Sequence, residues 1–124
     1  MDKIKSHKDL KVYQLAYKTA LEIHEITKTF PSEEKYALTD QIRRSSRSVC
    51  ANLAEAWRKR RYRKNFISKL SDSEVEASET LVWVDMPESF NYIDDITHID
   101  LYDKYEHIIA MLINMSNQPD KWTI

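Results

Sequence analysis

A chain of 124 residues without a single glycine can fold into little besides helices. Tight β-turns and hairpins draw on glycine for positive φ angles, and so do the phosphate-cradling loops of nucleotide-binding folds. The three prolines, Pro31, Pro87 and Pro119, stand far apart. The long stretches between them are rich in Leu, Glu, Lys, Arg and Ala, which favour helix. An all-α fold is expected. The length fits one domain over residues 1–124, with flexible ends at about 1–7 and 117–124. It is enough to bury a core without disulfides or metals.

Pro31 and Pro87, with a polar stretch near 94–98, divide the chain into four helical segments. The first is expected over about 9–29, with Asp9 as N-cap. At 100° per residue, Leu10, Tyr13, Tyr17, Leu21 and His24 share one face, and Val12, Leu15, Ile23, Ile26 and Phe30 a second. Only a narrow polar stripe separates them. So wide an apolar arc fits either deep burial within one subunit or a subunit interface. The second helix is expected over about 33–58, capped by Ser32 with Glu33 and Glu34 in its first turn. Leu38, Ile42, Ser45, Val49, Leu53 and Ala56 form its inner stripe. Its many small residues predict close packing rather than a catalytic serine.

The third helix is expected over about 62–86, with Phe66, Leu70, Ser73, Ala77, Leu81 and Val84 inward and Val75, Val82 and Met86 on another side. The fourth, over about 98–116, turns Leu101, Tyr105, Ile108, Leu112 and Met115 inward. Four amphipathic helices with short connections predict an antiparallel up-down-up-down four-helix bundle.

The net charge of −1 conceals strong segregation. Residues 1–42 balance seven bases against seven acids. Residues 43–71 hold ten bases, namely Arg43, Arg44, Arg47, Arg58, Lys59, Arg60, Arg61, Arg63, Lys64 and Lys69, against Glu55 alone. Residues 72–124 hold two bases and twelve acids. In an up-down bundle the Arg58–Lys64 connection lies at the same end as Lys3, Lys5, Lys8 and Lys11. The connection with Asp85, Glu88, Asp94, Asp95, Asp100 and Asp103 lies at the other. The basic cluster fits nucleic-acid binding through phosphate neutralisation, docking to an acidic surface of another chain, or a solvated helix end. Trp57, Tyr62 and Phe66 lie nearby in sequence as candidate stacking surfaces, or as core and rim. The candidate nucleic-acid-binding residues are Arg43, Arg44, Arg47, Arg58, Lys59, Arg60, Arg61, Arg63 and Lys64.

Catalytic and metal chemistry find no foothold. A di-iron bundle needs Glu-x-x-His pairs, and none occurs; Asp95-x-x-His98 falls in an expected connection and stands alone. His7, His24, His98 and His107 lack metal-ligand spacing. No nucleophile elbow is present, and Glu74, Glu76 and Glu79 fit a solvated helix face. No enzymatic activity, metal or cofactor is expected. The lone cysteine, Cys50, reads as a small core residue and fits a reducing compartment. No apolar run approaches the roughly 18 residues of a membrane span, and the first residues lack the apolar core of a signal peptide. A cytoplasmic location without membrane contact is expected.

Gln41-Ile42-Arg43-Arg44-Ser45-Ser46-Arg47-Ser48-Val49, followed by Asn52-Leu53-Ala54-Glu55-Ala56-Trp57, resembles the central signature of the four-helix-bundle proteins of the 23S rRNA intervening-sequence family. Asp9-Leu10-Lys11-Val12-Tyr13-Gln14-Leu15-Ala16 resembles that family's opening, and Phe30-Pro31 with Glu34 its first helix junction. Phe66-Ile67-x-x-Leu70 and Ser73-x-x-Glu76 resemble its third helix. The likeness spans roughly residues 8–115. Ala56 stands where many members carry glycine, which suggests a second helix continuing to Arg58 or beyond. The resemblance implies a bacterial, cytoplasmic bundle that self-associates, often as a ring of five. It also implies kinship with the accessory variability proteins of diversity-generating retroelements, which bind nucleic acid and a reverse transcriptase through basic surfaces. By position, it carries over Arg43 and Arg44. The leading expectation is a homo-oligomeric nucleic-acid-binding module, and the alternative a protein-interaction scaffold without nucleic-acid contact.

Overall fold

Every regular element among the described residues, 3–124, is helical in the computed structural model. The main helices are α1 (Lys11–Thr27), α2 (Leu38–Arg58), α3 (Arg63–Ser89) and α4 (Asp95–Ser116), followed by the single turn α5 (Pro119–Trp122). Helix α1 packs on α2 and α4 but not on α3; α2 packs on α3, and α3 on α4. This is the antiparallel four-helix bundle expected from the periodicity.

The inner stripes of α2 and α4 are those expected: Leu38, Ile42, Ser45, Val49, Leu53 and Ala56, and Leu101, Tyr105, Ile108, Leu112 and Met115, are all buried. On α3, Phe66, Leu70, Ser73, Ala77 and Val84 are buried, but Thr80 joins them where Leu81 was expected and Leu81 lies half-buried. Thr80 fits because its hydroxyl has two partners, Ser45 Oγ and the Glu76 carbonyl, each at 2.8 Å. Ser73 Oγ donates to the Val49 carbonyl at 2.8 Å. The small residues of α2 and α3 thus meet through hydroxyls that remain hydrogen-bonded after burial.

Without glycine, helix ends are closed by other means, and here the boundaries depart from expectation. Asp9 does not cap α1. Its carboxylate accepts the backbone N–H groups of Lys5 and Ser6, closing a capping box around a 3-10 turn at His7–Asp9. The helix proper then begins at Lys11. Ser32 likewise heads only a 3-10 turn, Ser32–Glu34, and α2 starts at Leu38. Tyr92 Oη donates to Glu34 Oε2 at 3.0 Å, and the Phe30 and Tyr92 rings lie 5.5 Å apart, which pins this turn against the α3–α4 connection.

Pro87 does not divide the chain; α3 runs through it to Ser89. Proline near a C-terminus deprives only one upstream carbonyl of its partner. The carbonyl of Pro87 itself accepts Tyr92 N–H at 2.7 Å, and that of Glu88 accepts Asn91 N–H at 3.0 Å. These two bonds form a Schellman motif with Asn91 in its left-handed position, φ 61°. Asn91→Gly should therefore raise stability by roughly 0.5–1 kcal/mol, read as a higher melting temperature, whereas Asn91→Val should lower it. The polar stretch 94–98, expected as a connection, is the start of α4. Asp94 accepts the Thr97 N–H at 2.8 Å and Asp95 follows in the first turn, where the helix dipole favours acids.

Of the end expected to be flexible at 1–7, Met1 and Asp2 lie outside the described residues. At the other end, α5 lays Trp122 against the core, and Ile124 N–H donates to the Arg60 carbonyl at 3.2 Å. The C-terminal residues therefore meet the α2–α3 connection, while Phe30, Glu34 and Tyr92 join the two connections at the opposite end. One pole carries Lys3, Lys5, Lys8 and residues 58–64, and the other carries the acids around 85–100.

Candidate nucleic-acid interface

The nine candidate arginines and lysines do not form one patch. Arg43, Arg44 and Arg47 sit toward the N-terminal half of α2, and Arg61 lies beyond its far end. Eighteen residues separate Arg43 from Arg61, which is on the order of 27 Å along a helix. The basic segment divides into a mid-helix group and a polar group.

The mid-helix group is partly consumed by the fold. Arg43 Nε donates to Thr27 Oγ1 at 2.8 Å and its Nη2 to the His24 carbonyl at 3.3 Å. Its guanidinium thus tethers the C-terminus of α1, where the helix dipole favours a cation. Arg44 is exposed and lies 3.8 Å from Asp40. Arg47 is exposed, with Nη2 3.2 Å from His24 Nδ1.

Around the α2–α3 connection, three cations are engaged. Arg60 lies 3.5 Å over the Trp57 ring, and its Nε donates to the Trp57 carbonyl at 2.8 Å. Arg63 pairs with Asp120 of α5. Lys69 lies 2.6 Å from Glu55 and 3.5 Å from Asp72; the Lys69 ammonium holds the Glu55 carboxyl below its ordinary pKa. That leaves Arg58, Lys59, Arg61 and Lys64 without an acidic partner among the described residues. Arg58, Arg61 and Lys64 are exposed, and Lys59 is half-buried.

Lys3, Lys5 and Lys8 stand exposed at the same end, next to the start of α1. They were outside the candidate set, though the up-down topology already placed them at this pole. Of the three aromatic residues nearby, Phe66 is fully buried and Trp57 lies under Arg60, so neither offers a free face. Tyr62, 57% exposed, does.

Among the described residues, no group of three or more His, Cys, Asp or Glu side chains is placed to hold a metal ion. Cys50 is half-buried among apolar neighbours, and burial pushes its thiol up to about 11. His98 lies in the first turn of α4 beside Asp85 of α3, 2.8 Å away. Burial also raises the Tyr105 phenol, whose oxygen has no hydrogen-bond partner; the Ser46 hydroxyl next to it is turned to the Arg43 carbonyl at 3.1 Å. Among the described residues, no helix is long and apolar enough to cross a membrane.

Comparison with known proteins gives a consistent likeness. The family model described as 23S rRNA-intervening sequence protein matches residues 8–114. Among solved structures, the chain is similar to a protein of unknown function from the S23 ribosomal protein family of Bacteroides thetaiotaomicron. The two share 28% identity and a TM-score of 0.78, over 86% of this chain and 96% of that one. No curated protein matches.

Proposed function

The chain belongs to the 23S rRNA-intervening sequence protein family, and we propose that it is a non-enzymatic, self-associating module of the bacterial cytoplasm that binds RNA or DNA through the basic end of its bundle. The observation that carries this reading is the set of cations left without acidic partners at that end. Arg58, Lys59, Arg61 and Lys64 lie at the same end of the bundle as Lys3, Lys5 and Lys8, and so does the exposed ring of Tyr62. Lysine and arginine in this setting neutralise phosphates and release counterions, and a tyrosine face stacks on unpaired bases. A ring, of five copies as the resemblance implies, would repeat the basic end. Individually weak phosphate contacts would then add through effective concentration.

A second reading, a protein-interaction scaffold, is favoured by one observation. Tyr17 and Leu21 on α1 are 51% and 54% exposed, and Val75 and Val82 on α3 are 58% and 50% exposed. Apolar stripes of this kind mark protein contacts. On that reading the basic end would meet an acidic surface of a partner, such as the reverse transcriptase bound by the related retroelement proteins.

Fluorescence anisotropy with labelled RNA and duplex DNA over a salt series separates the two. Replacing Arg58, Arg61 and Lys64 together by Glu should flatten the slope of log K against log salt by about 2–3 for duplex DNA, at roughly 0.9 for each phosphate no longer neutralised. All three side chains are exposed and unpaired, so thermal unfolding should be unchanged. Arg60 is left in place because its guanidinium packs on Trp57. Unaltered binding by the triple variant would exclude this site, and background retention by the native chain would favour the scaffold.

A further inference from the structure

Two of the exposed apolar faces are unlike in shape. The first is a trough of about 530 Å³ between α1 and α2, walled by Tyr13, Tyr17 and Leu21 and floored by Cys50, Ala51 and Ala54. The Tyr13 and Tyr17 rings stack along its wall, 5.9 Å apart. The second is a ridge on α3, Val75, Val82 and Met86, half a turn from the buried Leu70, Ala77 and Val84. A wall of tyrosines beside a floor of small side chains is concave; valines on an exposed helix face are convex. Their lengths correspond. Tyr13 to His24 and Val75 to Met86 each span eleven residue steps, about 16 Å along a helix.

The charges beside them are opposite. Arg44, Arg47 and Arg58 follow the exposed side of α2 at the trough. Beside the ridge run Asp72, Glu76 and Glu79, on the flank of α3 that turns toward α2. Glu76 and Glu79 have no cation partner among the described residues. Burial and the neighbouring Glu79 and Asp72 charges raise the Glu76 carboxyl above its ordinary range, so this flank gains from an incoming cation.

We propose that the α1–α2 trough of one copy receives the Val75–Val82–Met86 ridge of a second copy, with Arg44 and Arg47 meeting Glu76 and Glu79 across the contact. This rests on the self-association reading above and assigns its surfaces. The trough opens between α1 and α2, whereas the ridge points away from the core on α3, which does not touch α1, so the two do not share one patch and the contact is not self-complementary. Each copy uses its trough for one neighbour and its ridge for the other, and the assembly closes into a ring or extends.

Light scattering coupled to size exclusion tests this on the full chain. Leu21→Glu disables the trough and Val82→Glu the ridge. Both sites are half exposed, so circular dichroism should show helix content retained. Each variant alone should elute as the 14.8 kDa single chain. Mixing them should give a heterodimer of twice that mass and nothing larger, since only one intact trough and one intact ridge remain. The double variant Arg47→Glu with Glu79→Arg should assemble where Arg47→Glu alone does not. If Val82→Glu still assembles, or Leu21→Glu does, the contact pairs like with like and the proposal is overturned. If the native chain assembles and both variants match it, trough and ridge are the wrong surfaces but self-association stands. A monomeric native chain removes both.

Discussion

Phe66→Ala should lower the unfolding free energy by about 3–5 kcal/mol, measured as a reduced urea midpoint at unchanged m-value. Phe66 is fully buried in the first turn of α3, and its N–H makes the 2.9 Å bond to the Tyr62 carbonyl that opens the helix. It belongs to the same core as Trp57 and Leu70, and Trp122 of α5 packs against that core. A cavity here adds to the lost transfer energy because helices joined by the short 59–62 turn cannot readily collapse onto it. Domains of this kind are stable by only about 5–15 kcal/mol, so the loss is a large share of the total. The same variant tests which aromatic residue serves the basic end. Nucleic-acid affinity per folded molecule should be unchanged, because a fully buried ring offers no face to a base. Under the proposed function, the exposed Tyr62 is the ring that would stack.

Periodicity made the interior of α4 legible residue by residue and most of that of α2, where Thr39, Ser46 and Trp57 are buried beyond the expected stripe, because one buried stripe at 3.6-residue spacing leaves little choice of face. It was less informative for α1. Counting apolar residues gave two candidate faces there, yet the inner side is built from Ala16, Thr19 and Thr27 with Val12 and Ile23. Small and hydroxylated residues look neutral in a hydrophobic pattern. Thr19 and Thr27 remain comfortable inside because their hydroxyls return to the carbonyls of Leu15 and Ile23, at 2.7 and 2.8 Å. Tyr13 is thereby left half-buried and Tyr17 and Leu21 exposed, so part of the arc that fitted either deep burial or a subunit interface is surface in the single chain. The helix ends were misplaced for a related reason. Asp9, Ser32 and Pro87 are all residues that mark boundaries, but which boundary depends on hydrogen bonds to backbone groups that the local pattern does not reveal.

The candidate site was legible as charge but not as availability. Ten bases within residues 43–71 mark a cationic region from composition alone. Whether each cation is free depends on partners distant in sequence. Thr27 lies sixteen positions before Arg43, and Asp120 lies 57 after Arg63. Lys69 turns back to Glu55, the one acid in its own segment. The ten bases against one acid over residues 43–71 therefore overstate the free cationic surface, while the separate count for residues 1–42 understates it by leaving Lys3, Lys5 and Lys8 in a balanced stretch.

Arg43 shows the difference most sharply. Arg43→Ala should destabilise the fold by about 1.5–3 kcal/mol, the range for hydrogen bonds made by charged groups, while leaving the salt slope of nucleic-acid binding unchanged. No glycine follows α1, and its end tightens through bonds from the Lys28, Thr29 and Phe30 N–H groups to the Glu25, Ile26 and Thr27 carbonyls. The His24 carbonyl is served from outside this series, by Thr27 Oγ1 at 3.0 Å and by Arg43 Nη2 at 3.3 Å. Arg43 Nε meanwhile holds Thr27 Oγ1 itself, so one planar guanidinium fixes both the cap and the α1–α2 approach. Arg43→Lys should recover less than half of the loss, because an ammonium cannot present two donors in that fixed geometry. Amide exchange at Lys28 and Thr29 should accelerate in both variants. If Arg43→Ala instead leaves the urea midpoint unmoved and flattens the salt slope by about one unit, its guanidinium faces phosphate rather than the end of α1.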